Sequence, residues 1–164
     1  MNAKTASKAV ADVDVNKLVA ENDIGARSPG PGMSRFLLYV AIAWSVFQLW
    51  IASPLPFSTG FLVFNDTETR AIHLSFAVFL AYMSYPAFKG SPSDRIPLSD
   101  WVFALVGTFC AAYLFIFYRE LATRPGQPTD MDVYTGLIGM ALLLEATRRV
   151  LGLPMVIVAL LFLV

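Results

Sequence analysis

The chain has 164 residues, of which 57% are hydrophobic and only 15% are charged, and its mean hydropathy is +0.62. Soluble domains average about 45–50% apolar and about 25% charged residues, so this composition excludes an ordinary soluble domain. The 12 basic and 12 acidic residues cancel, which leaves no bulk charge to attract nucleic acid, and the single cysteine, Cys110, excludes an intrachain disulfide and a cysteine metal cluster.

Residues 1–35 are more polar than the rest of the chain, and they include the segment Ser28-Pro29-Gly30-Pro31-Gly32. They contain no apolar core of about 7–15 residues, so they lack the pattern of a cleaved signal peptide. Proline and glycine at this density favour a loop over a regular element. We therefore predict a polar tail and linker over residues 1–35.

Three long apolar stretches follow, at Phe36–Ala52, Ala71–Phe88 and Trp101–Tyr118. The first and third contain no charged residue, and the second is interrupted only by His73 and two serines. A helix rises about 1.5 Å per residue, so each stretch covers most of a hydrocarbon core roughly 30 Å thick. Since the backbone in lipid must satisfy its own hydrogen bonds, each stretch predicts a transmembrane helix.

Two further stretches complete the predicted fold. Residues 132–149 predict a fourth span, and residues 151–164 predict the start of a fifth, which we expect to be truncated. Gly152 and Pro154 separate the two stretches, since both residues break helices. The predicted fold is an all-α, polytopic transmembrane bundle of about four spans plus the start of a fifth. Its domains are the tail at 1–35, the bundle at 36–150 and the further helix at 151–164.

The basic residues predict the orientation of the bundle, because cytoplasmic loops carry an excess of lysine and arginine. A cytoplasmic N-terminus leaves only three basic residues on the outer side, Arg70, Arg119 and Arg124. The other nine are then cytoplasmic: Lys4, Lys8, Lys17, Arg27, Arg35, Lys89, Arg95, Arg148 and Arg149. We therefore predict a multi-pass protein of the cytoplasmic (inner) membrane with its N-terminus inside.

Two polar residues within the predicted spans are candidates for helix packing. Gln48 lies in the first span and His73 near the outer end of the second, and each side chain can hydrogen-bond to a neighbouring helix. The alternative for His73 is a proton relay or a ligand, as intramembrane ionisable residues often provide. It is the only histidine, so no cluster of imidazole metal ligands can form.

Glu145, Arg148 and Arg149 form the third candidate group. On a helix, Glu145 is spaced to pair with Arg148 at i+3 and with Arg149 at i+4. One interpretation is an interfacial charge cluster that ends the helix and fixes topology, and the other is a docking site for another membrane segment. The sequence contains no set of nucleophile, base and acid, no paired catalytic carboxylates and no phosphate-binding loop, so it predicts neither an enzyme nor a cofactor site.

Other features of the sequence concern packing. Residues 53–70 open with Ser53-Pro54-Leu55-Pro56-Phe57 and stay apolar as far as Phe64. We expect part of this segment to lie in the membrane interface or against a partner. Small residues predict close approach of helices at several positions, namely Ala104, Thr108, Ala112, Gly136 and Gly139.

Short motifs stand in a characteristic order along the chain. They are Gln48-Leu49-Trp50, Arg70-Ala71-Ile72-His73-Leu74, Asp100-Trp101, Arg124-Pro125-Gly126-Gln127-Pro128-Thr129, and Leu144-Glu145-Ala146-Thr147-Arg148-Arg149 followed by Leu153-Pro154. In this order and spacing, from about Val19 onward, the sequence resembles the N-terminal, small-subunit-like part of the fused membrane permease of TRAP transporters (tripartite ATP-independent periplasmic), in their TAXI branch.

The resemblance implies a scaffold in a secondary-active transporter. In that family, a periplasmic substrate-binding protein delivers a carboxylate or a similar organic anion to the membrane permease, and an ion gradient drives import as symport. The large permease part, fused or separate, holds the substrate and ion sites. The expected partners are therefore the lipid bilayer, that large part and the binding protein, with no nucleic acid. A small membrane adaptor for an unrelated complex is the alternative, and a membrane-embedded enzyme ranks third.

Overall fold

The computed structural model describes residues 25–88, 90–91 and 95–163, and regular structure within these ranges is entirely helical. The predicted all-α fold is confirmed for this part of the chain. The prediction for residues 1–24 lies outside the described residues. In chain order the helices are α1 (Pro31–Ala52), α2 (Leu55–Thr59), α3 (Asp66–Ser84), α4 (Leu98–Ile116), α5 (Tyr118–Thr123), α6 (Asp130–Leu151) and α7 (Leu153–Leu163).

Two of these helices, α1 with 22 residues and α4 with 19, are long and apolar enough to cross a membrane. None of the apolar stretch of α1 is buried, and only 22% of that of α4 is, whereas a core helix of a soluble protein would be mostly buried. Helices α3 and α6 have similar lengths, 19 and 22 residues, but they carry charged residues at their ends.

The helix ends differ from the predicted ones for identifiable reasons. Helix α1 begins at Pro31, inside the predicted linker, because proline is well suited to the first turn of a helix. Helix α3 begins at Asp66 rather than Ala71, since Asn65 and Glu68 form a capping box. The same helix ends at Ser84, because the next residue precedes a proline and is extended.

The core lies where α3, α4 and α6 cross. Its buried members are Val78, Tyr82 and Met83 of α3, Ala104 of α4 and Ala146 of α6. The Tyr82 hydroxyl donates a hydrogen bond to the Leu142 carbonyl at 2.8 Å, which satisfies the polar end of a fully buried ring. The three helices therefore meet through a small core in which one polar contact joins α3 to α6.

Glycines set how closely the three helices approach. A Cβ added at Gly107 of α4 would lie 2.8 Å from Val78 Cγ1, and one at Gly139 of α6 would lie 3.1 Å from Cys110 Cβ. The predicted close approach is confirmed at Gly139. It is wrong at Gly136, one turn earlier, where α6 borders a groove and an added Cβ would have nothing within 4 Å.

Aromatic contacts hold α1 against α3. Trp44 stacks on Phe76 with ring centroids 6.5 Å apart, and Phe36 meets Phe79 edge-on at 6.3 Å.

At the other end of the chain, α6 stops at Gly152, whose φ of 83° favours glycine, and α7 starts immediately afterwards. The helix break predicted at this position is confirmed.

Candidate functional site

Charged side chains meet where α3 and α6 end, where α4 begins, and in the segment that precedes α1. Asp100, in the first turn of α4, receives Arg27 on one carboxylate oxygen and Arg149 on the other, the latter at 2.9 Å. The side chains of these three residues are 0–3% exposed. We call Arg27, Asp100, Glu145, Arg148 and Arg149 the arginine network.

The helices themselves favour this arrangement. A carboxylate in the first turn of a helix and a guanidinium in the last turn both interact favourably with the helix dipole, as Asp100 and Arg149 do. The backbone amide of Arg27 donates to the Ser84 carbonyl at 2.7 Å, which satisfies one of the free carbonyls at the end of α3. Arg27 is thereby placed over the end of α3 as well as against Asp100.

Glu145 joins the two arginines of α6. It receives two hydrogen bonds from Arg148, at 2.6 and 2.7 Å, and one from Arg149 Nε at 3.0 Å. The pairing predicted from the helical spacing is confirmed for both arginines. Arg148 also donates to the Ala87 carbonyl at 2.9 Å and lies over the Phe88 ring, so it holds the segment that follows α3.

The arginine network has the features of a structural contact between helices. Both carboxylates are engaged by arginines, so neither is free to act as a general base. Arg149 also lies over the Tyr82 ring at 4.7 Å, which links the network to the core. Three arginines face two carboxylates, and two buried nitrogens of Arg27 (Nε and Nη1) lack hydrogen-bond partners within the described ranges. The network joins the ends of α3 and α6 to the start of α4 and to the segment before α1, and it keeps a formal charge of +1.

Two members of the network, Arg27 and Asp100, are absent from the candidates that the sequence provided. The available signal for Asp100 was a lone acidic residue that opens an otherwise uncharged stretch, on the side predicted to be rich in arginine. Arg27 lies in the predicted polar tail and linker, yet its contacts with Asp100 and Ser84 bury it. No signal in the sequence marks that contact, because it depends on which helices are adjacent.

The other sequence candidates, Gln48 and His73, also lie together. The His73 Nδ1 accepts hydrogen bonds from the Gln48 side-chain amide and from Trp44 Nε1, the latter at 3.3 Å. An indole N–H can only donate, so Nδ1 is the acceptor in the contact with Trp44. These contacts join α1 to α3, and the helix-packing role of Gln48 and His73 stays a prediction.

A third polar cluster lies at the other end of the bundle. Asp132, in the first turn of α6, accepts hydrogen bonds from the Tyr113 hydroxyl, from Arg124 and from the Thr129 amide. Thr129 and Asp132 form a capping box, which starts α6 at this point. Carboxylate–arginine contacts therefore join both ends of α6 to neighbouring segments, Asp132 to Arg124 at one end and Arg149 to Asp100 at the other. The sequence predicted neither pair.

None of these clusters has the composition of a metal site. Within residues 25–88, 90–91 and 95–163, no group of three or more histidine, cysteine or acidic residues is placed to hold a metal ion. Comparisons of the chain with protein-family models, with curated proteins and with solved structures find no match.

Glu145 provides a direct test of the network. Glu145→Ala is expected to lower the melting temperature in detergent more than Glu145→Gln does, because glutamine still offers an acceptor oxygen to the two arginines. Scanning fluorimetry of the three purified proteins measures the difference. A double-mutant cycle with Arg148→Ala should give a coupling of about 0.5–3 kcal/mol. Additive effects of the two single changes would contradict the pairing.

Proposed function

We propose that the chain is the scaffold membrane part of a binding-protein-dependent TRAP-type transporter, which imports carboxylates or related organic anions with an ion gradient. The observation that carries the proposal is that separate family-like motifs meet in space. Asp100 of one motif pairs with Arg149 of another at 2.9 Å, and Gln48 of a third hydrogen-bonds to His73 of a fourth. Motifs that pack on one another are expected of a single conserved structural unit.

The proposal places the chain in the cytoplasmic membrane, with α1, α3, α4 and α6 as four crossing helices and α7 as the start of a fifth. The exposed apolar surface of α1 and α4 supports a lipid environment. The N-terminus is cytoplasmic in this proposal, because the arginine network then lies on the inner side with Arg35 and Arg95. Arg70, Arg119 and Arg124 face the outside.

A scaffold role is favoured over a transport site within these helices. Substrate and ion sites of secondary transporters are commonly formed near mid-membrane by broken helices and ionisable groups. Among the described residues, α1, α3, α4 and α6 run unbroken, and their charged side chains lie towards their ends. In the proposed transporter, the large permease part holds substrate and ion, and the periplasmic binding protein delivers the substrate.

Reconstitution tests the proposed division of labour. The purified chain, in vesicles with a sodium gradient, a labelled carboxylate and the binding protein, should show no gradient-dependent uptake. Co-reconstitution with the large permease part should restore uptake, and the large part alone should remain inactive. Uptake by either part alone would overturn the scaffold proposal. If the two parts never assemble in the vesicles, that result favours the membrane adaptor over the transporter scaffold.

The proposed orientation is tested in intact cells with an impermeant thiol reagent. In a Cys110→Ala background, Gln127→Cys on the proposed outer side should react without permeabilisation. Ser99→Cys, on the proposed inner side, should react only after it. Both residues are exposed in the structure, so accessibility to the reagent depends on the side of the membrane. The opposite pattern of labelling would overturn the proposed orientation and place the N-terminus outside.

A further inference from the structure

The segment between α1 and α3 presents apolar side chains outward. Residues 53–64 contain no charged residue, and Phe57 is 80% and Phe61 62% exposed. We call residues 53–64 the apolar loop. Its other exposed apolar side chains are Leu55, Leu62 and Val63. Monomeric soluble proteins rarely expose a continuous patch of this kind without a partner for it.

The hydroxyl groups of the apolar loop bond to backbone carbonyls of the loop itself or of the end of α1. Ser58 Oγ and Thr59 Oγ1 both donate to the Leu55 carbonyl, at 3.1 and 2.7 Å. Ser53 Oγ donates to the Trp50 carbonyl at 2.8 Å and accepts from the Leu55 amide at 3.3 Å. Each of these three hydroxyls therefore has a backbone acceptor, although Ser58 and Thr59 are themselves exposed residues.

The backbone amides of the apolar loop are largely paired as well. Pro54 and Pro56 have no N–H to satisfy. The other amides of residues 53–61 include five with partners in the loop or in α1, those of Ser53, Leu55, Ser58, Gly60 and Phe61. A segment in contact with lipid must satisfy its polar groups internally, and these five amides do so without one continuous helix.

Packing fixes the direction in which the apolar loop faces. Phe64 is held between Phe47 of α1 and Phe115 of α4, and Phe61 meets Trp50 edge-on with ring centroids 6.4 Å apart. Leu62 has a φ of 49°, a conformation that bulky residues adopt only when their surroundings enforce it. These contacts fix the backbone on both sides of Val63, whose side chain is exposed.

We propose that residues 55–63 are an interfacial anchor, embedded at the boundary of headgroups and acyl chains in the outer leaflet. The inference rests on the membrane location given under the proposed function. Lipid fits this surface better than a protein does, because protein interfaces carry about one hydrogen bond per 100–200 Å² and the apolar loop has few donors left to offer. Phenylalanine, leucine and valine on one exposed side are typical of interfacial segments.

The residues that follow the loop mark the water side of this boundary. Asp66 and Arg70, in the first turns of α3, form a salt bridge at 2.9 Å and have side chains 77% and 79% exposed. Ion pairs with this exposure belong in water or among polar headgroups. The anchor and the ion pair together set how deeply the outer ends of α1 and α3 lie in the bilayer.

Spin-label accessibility tests the anchor. A nitroxide is attached to Phe57→Cys or Val63→Cys, in a Cys110→Ala background, and the protein is placed in vesicles of phosphatidylcholine and phosphatidylglycerol. Oxygen partitions into lipid, whereas a nickel chelate stays in water. We expect the ratio of oxygen to nickel collisions at both positions to be severalfold higher than at Thr67→Cys, which is exposed in the first turn of α3. Nickel collisions equal to those of Thr67→Cys would overturn the proposal, and so would exclusion of both reagents, which indicates a protein cover.

A mid-helix position separates this inference from the proposed function. Ile42→Cys lies in the middle of α1 and is exposed to lipid in the proposed bundle. High nickel access at Ile42→Cys would refute the membrane location itself, whereas lipid access there with water access at Phe57→Cys would refute the anchor alone. A photoreactive phospholipid supplies a measurement on the unsubstituted chain. It should crosslink within residues 55–63, and crosslinks confined to α1 and α4 would contradict the anchor.

Discussion

Replacement of Asp100 by alanine is expected to lower the free energy of unfolding in detergent micelles by about 3–5 kcal/mol, because it leaves two buried guanidinium groups without their shared carboxylate. The side chains of Arg27 and Arg149 are 0% and 1% exposed, so water cannot replace the lost partner without opening the bundle. Unfolding in sodium dodecyl sulfate, followed by circular dichroism, measures the change. Asp100→Asn should retain part of the stability through hydrogen bonds.

Asp66→Ala is the matched control for Asp100→Ala. It also removes an aspartate that pairs with an arginine in the first turns of a helix, but that pair is exposed to solvent. Exposed ion pairs contribute little to stability, so the free energy of unfolding of this variant should be close to that of the unsubstituted chain.

Arg149→Ala combined with Asp100→Ala should lower the free energy of unfolding by less than the sum of the single changes. Equal effects of Asp66→Ala and Asp100→Ala would refute the importance of burial.

Gly107→Ala is expected to destabilise the bundle by about 1–3 kcal/mol relative to Gly136→Ala, since overpacking forces neighbours in a close-packed core to move. The added methyl at Gly107 would lie 2.8 Å from Cγ1 of Val78, a buried and branched side chain with little room to yield. The same change at Gly136 meets nothing within 4 Å. Both substitutions gain the same helix propensity, so the difference in unfolding free energy isolates the clash.

A second substitution distinguishes a local clash from a general loss of folding. Val78→Ala removes the methyl group that the new side chain would meet, so the Gly107→Ala/Val78→Ala protein should recover stability relative to Gly107→Ala. In the Gly136→Ala background, Val78→Ala should only destabilise, because it creates a cavity. A double variant of Gly107 and Val78 that is less stable than both single variants would contradict the proposed contact.

The helices were the part of the fold that the sequence predicted best. Long uncharged runs dominate the middle of α1 and α4, and only a helix satisfies the backbone of such runs. The errors lie at the ends, where single residues decide. Asn65 and Glu68 start α3 before the predicted apolar stretch at Ala71, and their spacing is that of a capping box. The charged residues before Ala71 were left outside the predicted helix, whereas in the structure they form its first turn and its cap.

The candidate site divides along the same line. Glu145 and its two arginines lie within one helix, so the spacing of 3.6 residues per turn was enough to predict their contacts. Asp100 is 49 residues from Arg149 and 73 from Arg27 along the chain. These pairs depend on which helices pack next to α4. A single sequence carries no signal for that packing, which co-variation among relatives could reveal.

Helix α6 is held at both ends, by Asp132 against Arg124 and Tyr113, and by Arg149 against Asp100. One residue inserted between those positions would turn the far end by about 100° and lengthen it by about 1.5 Å. Either Asp132 or Arg149 would then point away from its partner. The number of residues from Asp132 to Arg149 is therefore fixed as strictly as their identities, and insertions are expected in the connection around Gly126 instead.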